Sequence, residues 1–195
     1  MQLDLNDLSG SEIYQSMVSM ITPRPIAWVS TLSTDGVANL APFSFFTGVG
    51  VRPPTLVFCP ANRGDGSPKD TLANIQRSGE FVVNIVTQTV ARAMHLSAAD
   101  VSPDVDEFEL TGVDKADSLI VKPPRVAQCV AAMECRLHQV IQLAAGPGGA
   151  NMVVGRIVGF HVDDEIVQDG KMVINTIARS GRSLYVAESD AFSLD

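Results

Sequence analysis

Apolar positions change their spacing several times along this chain, and the changes mark out its elements. Between Ser11 and Ile21 the residues Ile13, Met17, Met20 and Ile21 recur at helical spacing, with Ser11 placed as the cap and Pro23 as the stop. Ile26–Ser33 is instead rich in β-branched and aromatic residues, and Asp35-Gly36 joins it as a hairpin to a second strand over Val37–Phe46. Thr55–Cys59, bounded by Pro53-Pro54 and Pro60, reads as a short buried strand, and Ala61–Pro68 as a loop. Lys69–Ser78 places Leu72 and Ile75 on one helical face and ends at Gly79, where a left-handed C-cap belongs.

Glu80–Val86 is again strand-like and Thr87–Ala98 reads as a second short helix, whereas residues 99–124 carry Asp and Pro with little period and predict an irregular crossing segment. Val126–Leu143 and Met152–Val162 form a long strand pair around the glycine-rich loop at 145–150. Asp169-Gly170 marks another turn before a short strand and the tail 178–185. Strands separated by turns, with a few short peripheral helices, predict a mainly β, antiparallel barrel and not a doubly wound sheet.

The length of 195 residues suits one well-buried domain over 1–195. Only 18% of residues are charged against 46% apolar, which is lean for a chain covering its own surface and points to an extensive subunit interface. A net charge of −8, with the 14 basic residues scattered, leaves no basic stripe to neutralise nucleic-acid phosphates. Cys59, Cys129 and Cys135 are odd in number and form no CxxC pair, so neither a disulfide framework nor a zinc site is indicated. They read as small buried hydrophobes in a reducing cytoplasm, with Cys129 and Cys135 on one strand. Met1–Gly10 has no basic n-region and no apolar run approaches about 18 residues, so neither a signal peptide nor a spanning helix is expected.

Two segments carry candidate chemistry. The loop Arg63-Gly64-Asp65-Gly66-Ser67-Pro68-Lys69-Asp70-Thr71 opens directly into a predicted helix. A helix start offers unpaired N–H groups and the positive end of the dipole, and Arg63, Lys69, Ser67 and Thr71 add charge and hydroxyls, as a phosphate monoester requires. Spacing alone also allows a solvated loop in which Ser67 or Asp70 merely caps the helix. In Phe43-Ser44-Phe45-Phe46-Thr47 the aromatics read as core or as ligand contacts, while Ser44 is a small hydroxyl between rings. His95, His138 and His161 are isolated, and no G-x-S-x-G, H-E-x-x-H or Walker pattern is present, so the chain shows no nucleophile of its own.

The order Pro23-Arg24-Pro25, Asp35-Gly36 and Asn39-Leu40-Ala41-Pro42-Phe43-Ser44 resembles the opening of the flavin reductase-like proteins, with their P-x-P strand, D-G turn and N-x-A-P-x-S segment. The resemblance runs from about Ile21 to Tyr185, through Met133-Glu134-Cys135, Val154-Gly155-Arg156-Ile157-Val158 and the closing Arg179-Ser180-Gly181-Arg182-Ser183-Leu184-Tyr185, where Arg182 replaces the family's second glycine. It implies an FMN-binding split β-barrel, homodimeric, with the flavin at the subunit interface. It places Arg63, Ser67, Lys69 and Thr71 at the phosphate. Asn39, Ala41, Pro42, Phe43 and Ser44 would then lie beside the ring and ribityl chain, Ser30 and Thr31 at the flavin's polar edge, and Arg179 near the flavin. The activity implied is an oxidoreductase of NAD(P)H:flavin type, with NADH or NADPH as reductant and a small redox substrate or flavin as the other partner. The alternatives are a non-catalytic FMN electron carrier and a flavin-less binding domain.

Overall fold

The structure, a computed structural model, describes residues 2–187 and Leu194. The domain read over 1–195 therefore includes Met1, 188–193 and Asp195, which lie outside the described residues. In chain order the elements are α1 (Gly10–Met20), β1 (Arg24–Pro25), β2 (Ala27–Leu32), β3 (Ala38–Phe43), β4 (Phe46–Val51), β5 (Pro54–Phe58), α2 (Asp70–Ser78), β6 (Glu80–Ile85), α3 (Ala91–Leu96) and α4 (Glu107–Thr111). They continue as β7 (Lys115–Ala116), β8 (Arg125–Val126), β9 (Ala131–Gln142), β10 (Asn151–Val162), β11 (Val167–Gln168), β12 (Lys171–Met172), β13 (Ile177–Ser180) and β14 (Leu184–Ala187). The main sheet is antiparallel throughout, in the order β3-β2-β6-β9-β10-β5-β4. A smaller sheet, β1-β13-β14, closes one side. This is the split-barrel architecture expected, mainly β with short peripheral helices.

Both faces of the central strands are covered, which is why β2 is buried along nearly its whole length. Trp28 packs with Leu40, Met94 and Phe108 on one side, while the next residue, Val29, packs with Phe58, Leu72, Ile75 and Phe81 on the other. The buried Trp28 Nε1–H donates to Ser97 Oγ at 2.8 Å, so the ring's one polar group is satisfied. Gly155 on β10 faces the Phe81 ring so closely that a Cβ there would lie 2.4 Å from Phe81 Cζ. It sits at a register irregularity between β10 and β9.

Several boundaries differ from the sequence reading. α1 is capped by Ser9, not Ser11: Glu12 N–H donates to Ser9 Oγ at 3.3 Å and Ser9 N–H donates to Glu12 Oε2 at 2.8 Å. Ser9 has a glutamate three residues on and Ser11 has Tyr14 there, so only Ser9 completes the reciprocal pair. The strand read over Val37–Phe46 breaks after Phe43, and the one read over Val126–Leu143 divides into β8 and β9. Cys129 therefore lies in the connection before β9 and does not share a strand with Cys135. The first hairpin closes through Ser33–Val37 with only Gly36 at positive φ (83°), whereas Asp169 (49°) and Gly170 (74°) form the two-residue turn with both central residues in that region.

The crossing segment 99–124 holds α4 and β7, which are too short to show a period. Its far end is pinned by Glu134, whose buried carboxylate accepts from the N–H groups of Leu119, Ile120 and Val121 at 2.8, 2.6 and 3.0 Å. All three cysteines are free. Burial pushes the Cys129 thiol up to about 12 and Cys135 in the same direction. Neither is expected to react with a thiol reagent at pH 8 until the protein is unfolded, which a DTNB count with and without denaturant measures.

Candidate active site

β3 is an edge strand, paired on one side only with β2, so its outward backbone groups need partners from elsewhere. Leu40 N–H finds one in α4, donating to Glu107 Oε2 at 3.1 Å. Pro42, two residues on and turned the same way, has no N–H and presents only its carbonyl, as suits a proline on an edge. Against this edge the loop after β5 delivers α2, and the segment 97–101 after α3 forms the opposite wall. The cleft so enclosed has a volume of about 320 Å³. Asn39, Ala41, Pro42, Phe43, Arg63, Lys69, Asp70, Thr71, Asp100, Glu107 and Arg179 are among its lining residues.

The N-terminus of α2 opens into this space. Lys69 occupies the cap position but makes no side-chain cap bond, and the N–H groups of Asp70, Thr71 and Leu72 have no partner within the helix. Three cations meet three carboxylates here. Arg63 Nη2 binds Asp70 Oδ2 at 2.5 Å and its Nε lies 3.7 Å from the exposed Asp100. Arg179 donates through Nε and Nη2 to the Arg182 carbonyl at 3.0 and 2.6 Å. Among the described residues Lys69 has no carboxylate within ion-pair distance. Like Arg179, it has no carboxylate to neutralise it, and unlike Arg179 its ammonium makes no hydrogen bond to the protein among the described residues.

Beneath the cleft runs a buried polar network. Asn39 Oδ1 accepts from Thr71 Oγ1 at 2.7 Å and from Thr31 Oγ1 at 3.2 Å, while Asn39 Nδ2 donates to Glu107 Oε1 at 2.9 Å. Thr31 Oγ1 in turn accepts from Asn74 Nδ2 at 3.1 Å. Burial raises the Glu107 carboxyl above its ordinary value, the bonds from Leu40 and Asn39 oppose this, and the Asp70 charge adds to it.

Of the twelve residues singled out in the sequence, Asn39, Ala41, Pro42, Phe43, Arg63, Lys69, Thr71 and Arg179 come together at the cleft. Four do not. Ser30 is fully buried, its hydroxyl donating to the Pro124 carbonyl at 2.5 Å and accepting from Asn84, so this side chain serves the fold rather than a ligand edge. Thr31 is sealed within the Asn39 network. Ser67 turns its N–H and hydroxyl to Asp65 Oδ1 at 2.8 and 2.6 Å, facing a neighbouring groove. Ser44 accepts from Arg24 Nε at 3.5 Å, beyond the end of β3.

Thr71 reaches the cleft chiefly through its backbone, since its hydroxyl proton is committed to Asn39. The glycine replaced by Arg182 is not needed for the closing turn, because Gly181 takes the positive φ (63°) and the Arg182 carbonyl anchors Arg179.

Two residues escaped the sequence reading. Glu107 arrives from 68 positions beyond Asn39, and no local pattern announces it. Arg24 was visible only as the middle of P-x-P. Its guanidinium is buried and donates to the carbonyls of Val18, Ile21 and Gly181 at 2.9, 2.8 and 2.8 Å.

Comparison with known proteins agrees with this architecture. The flavin reductase like domain model matches residues 18–183, and the chain belongs to that family. An uncharacterized protein of Halalkalibacterium halodurans is 35% identical over 201 residues, spanning 100% of this chain and 96% of the relative. Among solved structures, nitrilotriacetate monooxygenase component B from Bacillus cereus superposes with a TM-score of 0.95 at 29% identity, covering 100% and 98% of the two chains. The 2-nitrobenzoate 2-nitroreductase of Pseudomonas fluorescens gives 0.90 at 29% identity, covering 100% and 95%.

Proposed function

We propose that this chain is an FMN-binding oxidoreductase of the NAD(P)H:flavin reductase type, its cofactor phosphate seated at the N-terminus of α2. The observation that carries this reading is the uncapped helix start beside the unneutralised Lys69, open to a polar cleft on the edge of β3, in a chain of the flavin reductase-like family. The residues fit a phosphate monoester: N–H groups of Asp70, Thr71 and Leu72 point out of the helix, Lys69 supplies charge, and Arg63 can exchange the exposed Asp100 for a ligand oxygen. Asn39, Ala41, Pro42 and Phe43 border the path from the phosphate end along β3, and Arg179 faces them from β13. When bound, FMN supplies hydride acceptance from NADH or NADPH, a reaction for which the protein needs no nucleophile.

The test is the visible spectrum of the purified protein followed by anaerobic addition of NADH or NADPH. Flavin bands bleached by either nucleotide support the reductase. Bleaching only by a reduced partner protein favours an electron carrier, and failure to bind FMN at all overturns the reading.

A homodimer belongs to the same proposal. Val49 and Val51 on the outer strand β4 are 55% and 83% exposed, and Met20 and Ile21 at the end of α1 are 76% and 53% exposed, an apolar surface suited to a second copy. Tyr14 and Phe45, with ring centroids 6.4 Å apart, hold α1 beside the start of β4. Obligate interfaces commonly bury more than about 2,000 Å². Sedimentation equilibrium is expected to give twice the 20.8 kDa chain mass, and a 20.8 kDa species that retains FMN would count against the dimer.

A further inference from the structure

We propose that Glu107 is a positioning residue for the phosphate end of the cleft, acting through Asn39 on Thr71 and so on the N-terminal N–H groups of α2. This rests on the reading of α2 as the phosphate seat. Glu107 is 4% exposed and spends both carboxylate oxygens on β3: Oε2 accepts from Leu40 N–H at 3.1 Å and Oε1 from Asn39 Nδ2 at 2.9 Å. A carboxylate can only accept, so Asn39 must turn its NH₂ toward Glu107 and its carbonyl toward α2. That carbonyl then accepts from Thr71 Oγ1 at 2.7 Å, which ties the second residue of α2 to the sheet edge. No other side chain bonds Asn39 Nδ2 among the described residues. The amide orientation, and with it the tie to α2, therefore depends on a residue from a different element.

Removing the acceptor frees the Asn39 amide to rotate. Its NH₂ can then face Thr71 and Thr31, where two hydroxyl protons already converge, and one bond of the network is lost or reversed. The helix start loses its fixed register against β3, whereas the wall formed by Ala41, Pro42 and Phe43 keeps its pairing with β2. The phosphate end should suffer and the ring end should not.

The experiment measures dissociation constants for FMN and riboflavin with wild type, Glu107→Gln and Glu107→Ala, alongside thermal unfolding of each apo-protein so that binding is read only where the variant is folded. Glu107→Ala is expected to weaken FMN about tenfold or more while riboflavin changes less than about threefold, and Glu107→Gln, which keeps one acceptor oxygen, to fall between. Combining Glu107→Gln with Thr71→Val should cost no more FMN affinity than the worse single change, whereas combining it with Lys69→Ala should multiply the losses.

An unchanged FMN-to-riboflavin ratio in the folded variants overturns the assignment, as do multiplicative losses with Thr71→Val. If Glu107→Ala does not fold, Glu107→Gln alone decides. A wild-type protein that binds the two flavins equally overturns the phosphate seat and the role of Glu107 together, while a discriminating wild type with indifferent Glu107 variants overturns only the latter.

Discussion

Riboflavin is expected to bind at least about tenfold more weakly than FMN, and Lys69→Ala to remove most of that difference. Each charge-assisted bond to a phosphate oxygen contributes about 1.5–3 kcal/mol, equivalent to roughly ten- to a hundredfold in affinity. Lys69 should dominate because Arg63 is already bonded to Asp70 and Arg179 to the Arg182 carbonyl. Arg63→Ala should weaken FMN as well, since it removes a cation and leaves the Asp70 carboxylate unpaired at the mouth of the same helix. Fluorescence titration of apo-protein with the two flavins checks both statements. Equal affinities in the wild type, or a Lys69→Ala variant that weakens riboflavin as much as FMN, would remove the phosphate seat.

The second large effect is on stability. Arg24→Met should cost about 3 kcal/mol or more, which for a chain of this size lowers the melting temperature by roughly 6–12 °C. The guanidinium is 2% exposed and ties the end of α1, through Val18 and Ile21, to the turn at Gly181, with Ser44 and the Phe45 ring on its remaining sides. Methionine fills similar volume but leaves three carbonyls without a donor. Burial lowers the Arg24 guanidinium below its ordinary value, yet a group of this basicity keeps its charge. Arg24→Lys should recover only part of the loss, because a single ammonium cannot span the fork that reaches α1 and the turn together. A melt of apo Arg24→Met within about 2 °C of wild type would show the clamp to be dispensable.

What the sequence made legible is what local chemistry decides. Gly79 at φ 71° ends α2 where the pattern placed it, and the long pair β9–β10 follows from sustained β-rich runs on either side of a glycine-rich loop. The tight Asp169-Gly170 turn was readable for the same reason. The hairpin at Asp35-Gly36 was found, but its turn form was not, since that depends on how Ser33 and Val37 bond across it.

Failures cluster where the deciding partner is distant. Nothing near Asn39 reveals that a glutamate 68 residues away will hold its amide, and nothing near Ser30 reveals that Pro124 will take its hydroxyl. Residues such as Thr31 and Thr71, whose types suit a polar ligand, suit a buried network equally well. α4, at five residues, is fixed by the Asp106 cap and by what Glu107 and Phe108 bury, not by a period.

Gly155 carries a consequence for how the chain can diverge. The Phe81 ring occupies the volume into which any side chain at 155 would grow, so the two positions, on strands separated by β9, share one allotment of space. Homologous sequences in which position 155 acquires a methyl or more are expected to carry a narrower residue at 81. The glycine is thereby tied to a position 74 residues upstream, and replacing it alone sets β10 against the ring that β6 contributes to the barrel.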